Sequence, residues 1–192
     1  TTGAVSAWAP IYQGANVGGA ESALIQVPFE LLSSGTASAT VYVGAGNSAV
    51  TGIPVLPASP GVLEDDFGNG RIAAVVIRSD GLVVTPQTPA RRGETLRMYA
   101  VGLGQTTPLA ETNRVGVPGQ KVKATVAVGI DNAGVEVVSA TLAENLVGVY
   151  EIVFVVPATA TFGNDRPLGF VMEVVPGQPL YANGSIIAIG PQ

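Results

Sequence analysis

The sequence runs to 192 residues, with nine basic and fourteen acidic side chains for a net charge of −5, and it contains neither cysteine nor histidine. It therefore has no thiolate metal site, no disulfide, no Ser-His-Asp triad and no side chain whose ordinary pKa lies near neutrality. The acidic balance opposes phosphate backbones, so nucleic acid is not an expected partner, and apolar runs such as 152–156 fall far short of the roughly 20 residues of a membrane helix.

Twenty-five glycines and fourteen prolines cut the chain into short Val/Ile/Thr-rich runs, the pattern of many strands joined by turns, and no helix is predicted. No basic and apolar leader opens the sequence, which for an extracytoplasmic protein implies a processed chain or a fragment. In chain order, strands are expected at 7–12, 22–27, 38–44 and 49–56. Residues 64–70, Glu-Asp-Asp-Phe-Gly-Asn-Gly, form the one dense acidic loop. Its oxygens suit calcium in kind, but it lacks the spaced ligands and distal Glu of an EF-hand, and a solvated turn is the preferred reading. Residues 71–78 and 82–85, separated by Ser79-Asp80-Gly81, read as a hairpin, because Asp-Gly readily supplies positive-φ turn residues.

Further strands are expected at 94–102, 121–130, 135–142, 150–156, 167–175 and 184–190. In 121–130 the period of two puts Val122, Ala124, Val126, Val128 and Ile130 on one face. In 150–156 it puts Tyr150, Ile152, Phe154 and Val156 together, with Val153 and Val155 opposite. Gly102-Leu103-Gly104 lacks the third glycine or the Lys-Ser/Thr of a phosphate loop and reads as a turn leaving its strand.

An internal duplication organises these elements. Residues 23–28, Ala-Leu-Ile-Gln-Val-Pro, match 152–157, Ile-Val-Phe-Val-Val-Pro. Each run precedes a second strand, 39–43 or 170–174, and a third, 49–55 or 185–189. The later copy has a full complement of strands before it, whereas the earlier one has only 7–12. The expected fold is therefore all-β, built from immunoglobulin-like β-sandwich units, the first incomplete at its N-terminus. The expected divisions are a partial unit over 1–59, a connecting segment with a hairpin over 60–93, and a complete unit over 94–192. The apolar strands of the partial unit need a cover: the second unit, the connecting segment or another chain, a homodimer being compatible with the last.

Candidate chemistry is sparse. Glu94, Glu136, Glu151 and Glu173 stand singly among apolar residues, as on the wet face of a sheet, and not as the facing pair of a glycosidase. Ser33 and Ser34 have no recognisable base, and Arg91-Arg92 reads as a solvated pair. Neither catalytic residues nor a cofactor or metal set is assigned. Trp8 and Tyr12, with the sheet face near Tyr150, are the candidate ligand contacts, by aromatic stacking on a sugar; core or interdomain packing is the preferred role of the first two.

The segments Ala9-Pro10-Ile11-Tyr12, 25–28 (IQVP), 58–63 (ASPGVL), 70–108, 124–130 (ATVAVGI) and 148–157 (GVYEIVFVVP) together resemble an uncharacterised C-terminal domain family first noted in Solibacter-type soil acidobacteria. The likeness covers nearly the whole chain. It is most specific from Pro89 onward, at Gly93, Tyr99, Gly102, Leu103 and Gly104, and the sandwich units separately resemble IPT/TIG immunoglobulin-like domains. The family's N-terminal strands, and its NG turn before Ala9, do not occur here. The resemblance implies a secreted or cell-surface bacterial setting and a non-catalytic accessory module with a structural, spacing or adhesive role. A carbohydrate-binding module is the alternative, and the implied partners are other domains of a larger parent chain or cell-surface polysaccharide.

Overall fold

The computed structural model describes residues 6–31, 35–68 and 70–191, so Ser33, Ser34 and Asn69 lie outside the described residues. The protein is all-β. Four strands come first: β1 (Ile11–Val17), β2 (Ala20–Ile25), β3 (Thr36–Val43) and β4 (Gly46–Pro54). Then follow β5 (Gly61–Val62), β6 (Glu64–Asp66), β7 (Ile72–Ala74), β8 (Val76–Ile77), β9 (Ala90–Arg91), β10 (Thr95–Val101), β11 (Thr106–Thr107) and β12 (Lys121–Val122). The last are β13 (Thr125–Ile130), β14 (Ala133–Val135), β15 (Val137–Leu142), β16 (Tyr150–Val155), β17 (Gly163–Glu173), β18 (Pro179–Tyr181) and β19 (Ser185–Gly190).

Two sheets form a sandwich. One runs β11-β12-β15-β16-β10-β5, with β8 also on β10; the other runs β14-β13-β17-β19-β9, with β18 also on β17. Their inner faces follow from the period of two. Leu96, Met98 and Ala100 of β10 meet Phe154, Ile152 and Tyr150 of β16 across the ladder, and all six are fully buried. Val128 and Ile130 of β13 pair with Phe170 and Leu168 of β17, and these join the same core with Met172, Ile187 and Ile189. Each such side chain contributes about 1.5–3 kcal/mol through burial. The expected alternation of 150–156 is the observed one, with Val153 and Val155 half-buried opposite the core.

Residues 60–93, expected to connect two units, instead supply strands to both sheets. β5 and β8 pair with β10, and β9 pairs in parallel with β19 through Ile189 and Ala90. Val62, Ala74, Val76, Val84 and Ala90 lie in the core. The reason is local: these strands are only two or three residues long, and their prolines and glycines read as loop although their apolar residues are spaced to face inward. The Asp80-Gly81 turn forms as expected, with Gly81 at positive φ and the Arg78 N–H donating to the Leu82 carbonyl.

The first 54 residues do not form a sandwich. β1 and β2 make one two-stranded hairpin and β3 and β4 another, each a separate sheet. Gly18 and Gly19, both at positive φ, close the first through the two-residue turn that matches strand twist. The strand expected at 7–12 instead begins at Ile11. The cover expected from within the chain is not there among the described residues: Val17, Leu24, Val41, Val43 and Val50 are all more than half exposed.

Candidate functional site: a latched pair of hairpins

The hairpins are tied to the sandwich at two points. The first is the short stretch after β2. Phe29 enters the core, and its N–H donates to the Thr112 hydroxyl at 2.9 Å. That hydroxyl donates in turn to the Glu30 carboxylate at 2.5 Å. The Thr112 hydroxyl is the main reason the Glu30 carboxyl is held below the ordinary carboxylate range. Gln26 is buried beside them, and its side-chain oxygen accepts from the Asn113 N–H at 2.9 Å and from the Tyr12 hydroxyl at 3.2 Å. Gly148 leaves room for this side chain, since a Cβ there would lie 3.2 Å from Gln26 Nε2.

The second tie lies after β4. The Ser59 N–H donates to the Gly102 carbonyl at 2.8 Å, and Val55 and Ala58 are buried. Gly102 and Gly104 sit at φ +73 and +76, and a Cβ on them would lie 1.8 Å from the Ser59 carbonyl oxygen and 2.5 Å from that of Pro57. Glycine is thus required twice over, for the left-handed backbone and for the close passage of 57–59. This accounts for Gly102-Leu103-Gly104, and the Tyr150 hydroxyl, buried beneath, donates to the Gly104 carbonyl.

The candidate ligand residues separate accordingly. Tyr150 is 1% exposed and its hydroxyl is engaged, so the ligand contact expected there is corrected: the side chain is part of the core. Trp8 is 87% exposed, so its preferred role in packing is not met among the described residues. Tyr12 is 47% exposed and tied by its hydroxyl to Gln26. The strands that the sequence marked as needing a cover are the exposed ones. By the duplication, Ala23, Ile25 and Val27 correspond to Ile152, Phe154 and Val156. The later three are fully buried, whereas Ala23 is exposed, Ile25 is 42% exposed and Val27 is 55% exposed. The same pattern of strands meets a core in one place and solvent in the other.

Several of the acidic side chains have structural partners. Glu64 accepts from the Ser185 hydroxyl at 2.7 Å and from Asn183 Nδ2 at 3.1 Å, while Asp66 caps the Gly68 N–H at 2.9 Å as a turn-former does. Glu94 binds Arg78 at 2.8 Å and also caps the Arg91 N–H. Glu151 lies 3.8 Å from Arg97, and Glu173 accepts from the Gly177 N–H. Arg92 is not a free cation: it donates to the Ala160 carbonyl and lies 3.9 Å above the Phe162 ring. No helix among the described residues is long and apolar enough to cross a membrane.

Fold and site together define an all-β sandwich that holds two apolar hairpins outside its own core. No family model, curated protein or solved structure matches the chain.

Proposed function

We propose that the chain is a non-catalytic accessory module of an exported bacterial protein, serving a structural, spacing or adhesive role from the secreted or cell-surface side, and that the hairpin end is the part that docks. One observation carries this reading: apolar strands stand outside the sandwich, yet side-chain hydrogen bonds and two obligatory glycines fix the point from which they project. Exposed apolar surface held on a fixed base marks an interaction site. The resemblance to the Solibacter-type C-terminal family, with sandwich units of IPT/TIG immunoglobulin-like type, supports the bacterial and extracytoplasmic setting. A secreted reporter fused to the chain tests it. Retention of the fusion at the producing cell's surface, reduced by Val43→Glu, is the expected result; free release of the unmodified fusion overturns the reading.

The exposure of Trp8 favours a second reading, a carbohydrate-binding module, because an uncovered indole is a stacking platform for a sugar ring. Trp8 is the sole tryptophan, so its fluorescence reports directly. A saturable change on adding a polysaccharide supports this second reading, and a flat response across a glycan panel removes it.

A further inference from the structure

Asn183, in the link between β18 and β19, is held at both ends of its side-chain amide by the stretch 62–64. The Val62 N–H of β5 donates to Oδ1 at 2.7 Å, and Nδ2 donates to the Glu64 carboxylate of β6 at 3.1 Å. The Ser185 hydroxyl donates to the other oxygen of that carboxylate at 2.7 Å, which fixes its aim. Val62 and Ser185 are buried, whereas Asn183 and Glu64 face solvent. The residue after Asn183 is Gly184, also exposed, which has no side chain to hinder the approach of its own backbone nitrogen to Asn183 Cγ.

These are the groups that displacement of an amide requires. Attack on the side-chain carbonyl puts negative charge on Oδ1, and a backbone N–H already aimed at that oxygen stabilises it. The amide nitrogen must leave as ammonia, and a carboxylate already hydrogen-bonded to it carries a proton to it. The attacking nitrogen is the next one along the chain, so the reaction needs no encounter with a second molecule.

We infer that the folded chain converts its own Asn183, with Gly184 N as nucleophile, the Val62 N–H as oxyanion donor and Glu64 as proton carrier. The bond from Gly184 N to Asn183 Cγ forms and the Cγ–Nδ2 bond breaks. The proton lost by Gly184 N passes through Glu64 to the departing nitrogen, and ammonia leaves behind a succinimide ring. Water then opens the ring at either carbonyl, giving aspartate or isoaspartate at position 183. This is a single self-modification, not turnover of a substrate. Either product sets a second carboxylate against Glu64 where a donor stood, so the tie between 62–64 and the start of β19 is lost with age.

A purely structural clamp predicts the opposite order of rates, because hydrogen bonds that only hold the amide still would protect it on folding. Peptide-resolved mass spectrometry follows the exchange of amide NH2 for OH at Asn183 in the whole chain, incubated folded or unfolded in guanidinium chloride. Asn183 is expected to convert at least about tenfold faster in the folded chain, and Glu64→Gln to lower the folded rate at least about tenfold while leaving the unfolded rate unchanged. Gly184→Ala, at a position where a Cβ meets nothing within 4 Å, should slow conversion in both states. Thermal melting verifies that Glu64→Gln is folded; where it is not, the folded-to-unfolded ratio of the unmodified chain decides. A folded rate no greater than the unfolded one, or a folded rate indifferent to Glu64→Gln, overturns the proposal.

Discussion

The hydroxyl of Tyr150 donates to the carbonyl of Gly104, joining the middle of the core to the turn on which the hairpin arm rests. Burial pushes the Tyr150 phenol above its ordinary value of 10.0. Its neutral form is favoured in the folded state, so this stability is fully present below pH 10 and is lost as pH rises toward the folded-state value. Tyr150→Phe should cost about 1–3 kcal/mol at neutral pH by stranding a buried carbonyl. It should also flatten the alkaline loss of stability, and urea titrations on both sides of the ordinary tyrosine pKa check both effects.

Gly102→Ala and Gly104→Ala are expected to lose more than left-handed strain alone. A Cβ at either position meets backbone oxygen of 57–59, whereas at Gly119, also at positive φ (+74), it meets open space. Gly119→Ala should cost about 1–2 kcal/mol, the strain by itself. The other two should exceed it, and limited proteolysis should find 55–60 newly accessible. Equal melting temperatures for all three variants would contradict the close passage.

Phe154→Ala should destabilise the sandwich by about 3–5 kcal/mol, as loss of a fully buried aromatic does. Val153→Ala, on the half-buried face of the same strand, should cost less than half as much. Reversal of that order in chemical denaturation would mean the strand had slipped by one residue.

How much of this was legible depended on strand length. Where alternation ran for six residues or more, as from Tyr150 to Val155, the pattern identified strand and face together, because a period of two needs several repeats to stand out. Val62, Val76 and Ala90 were not legible as core, since each sits in a two-residue strand whose pairing is set by β10 or β19 and not by local sequence. The acidic stretch 64–70 was read as a turn, but only its second half turns, with Asp66 capping Gly68: Glu64–Asp66 are β6, paired with β7, and nothing local announces that pairing or the bond from Ser185 to Glu64. Tyr150 as a ligand contact failed for a related reason. Its own strand shows which face it shares, but what meets that face is a core built with residues of the other sheet, such as Val128, Phe170 and Ile187, that are distant in sequence. The duplication fared differently: it matched 39–43 and 49–55 to 170–174 and 185–189, and β3 and β4 do pair with each other as β17 and β19 do, yet the covers it named within the chain do not screen them among the described residues.

Thr112 is the pivot of the first tie, accepting from Phe29 and donating to Glu30, so Thr112→Val removes both bonds while nearly keeping the side chain's shape. Because Phe29 still contributes its apolar area, the sandwich should lose about 1–2 kcal/mol or less. The larger effect should be on the arm: amide exchange across 11–25 should accelerate more than at the β10–β16 ladder, which holds the core. The same tie depends on pH. The Glu30 carboxyl is lowered in the folded state, so its contribution is present above the ordinary carboxylate pKa and is lost as pH falls through the folded-state value. Glu30 is exposed, which keeps this contribution small. Exchange in 11–25 should therefore rise, relative to intrinsic rates, on acidification through the carboxylate range in the wild type but not in Glu30→Gln. Identical pH dependence in the two proteins would place the acid sensitivity elsewhere and leave Thr112 holding Phe29 alone.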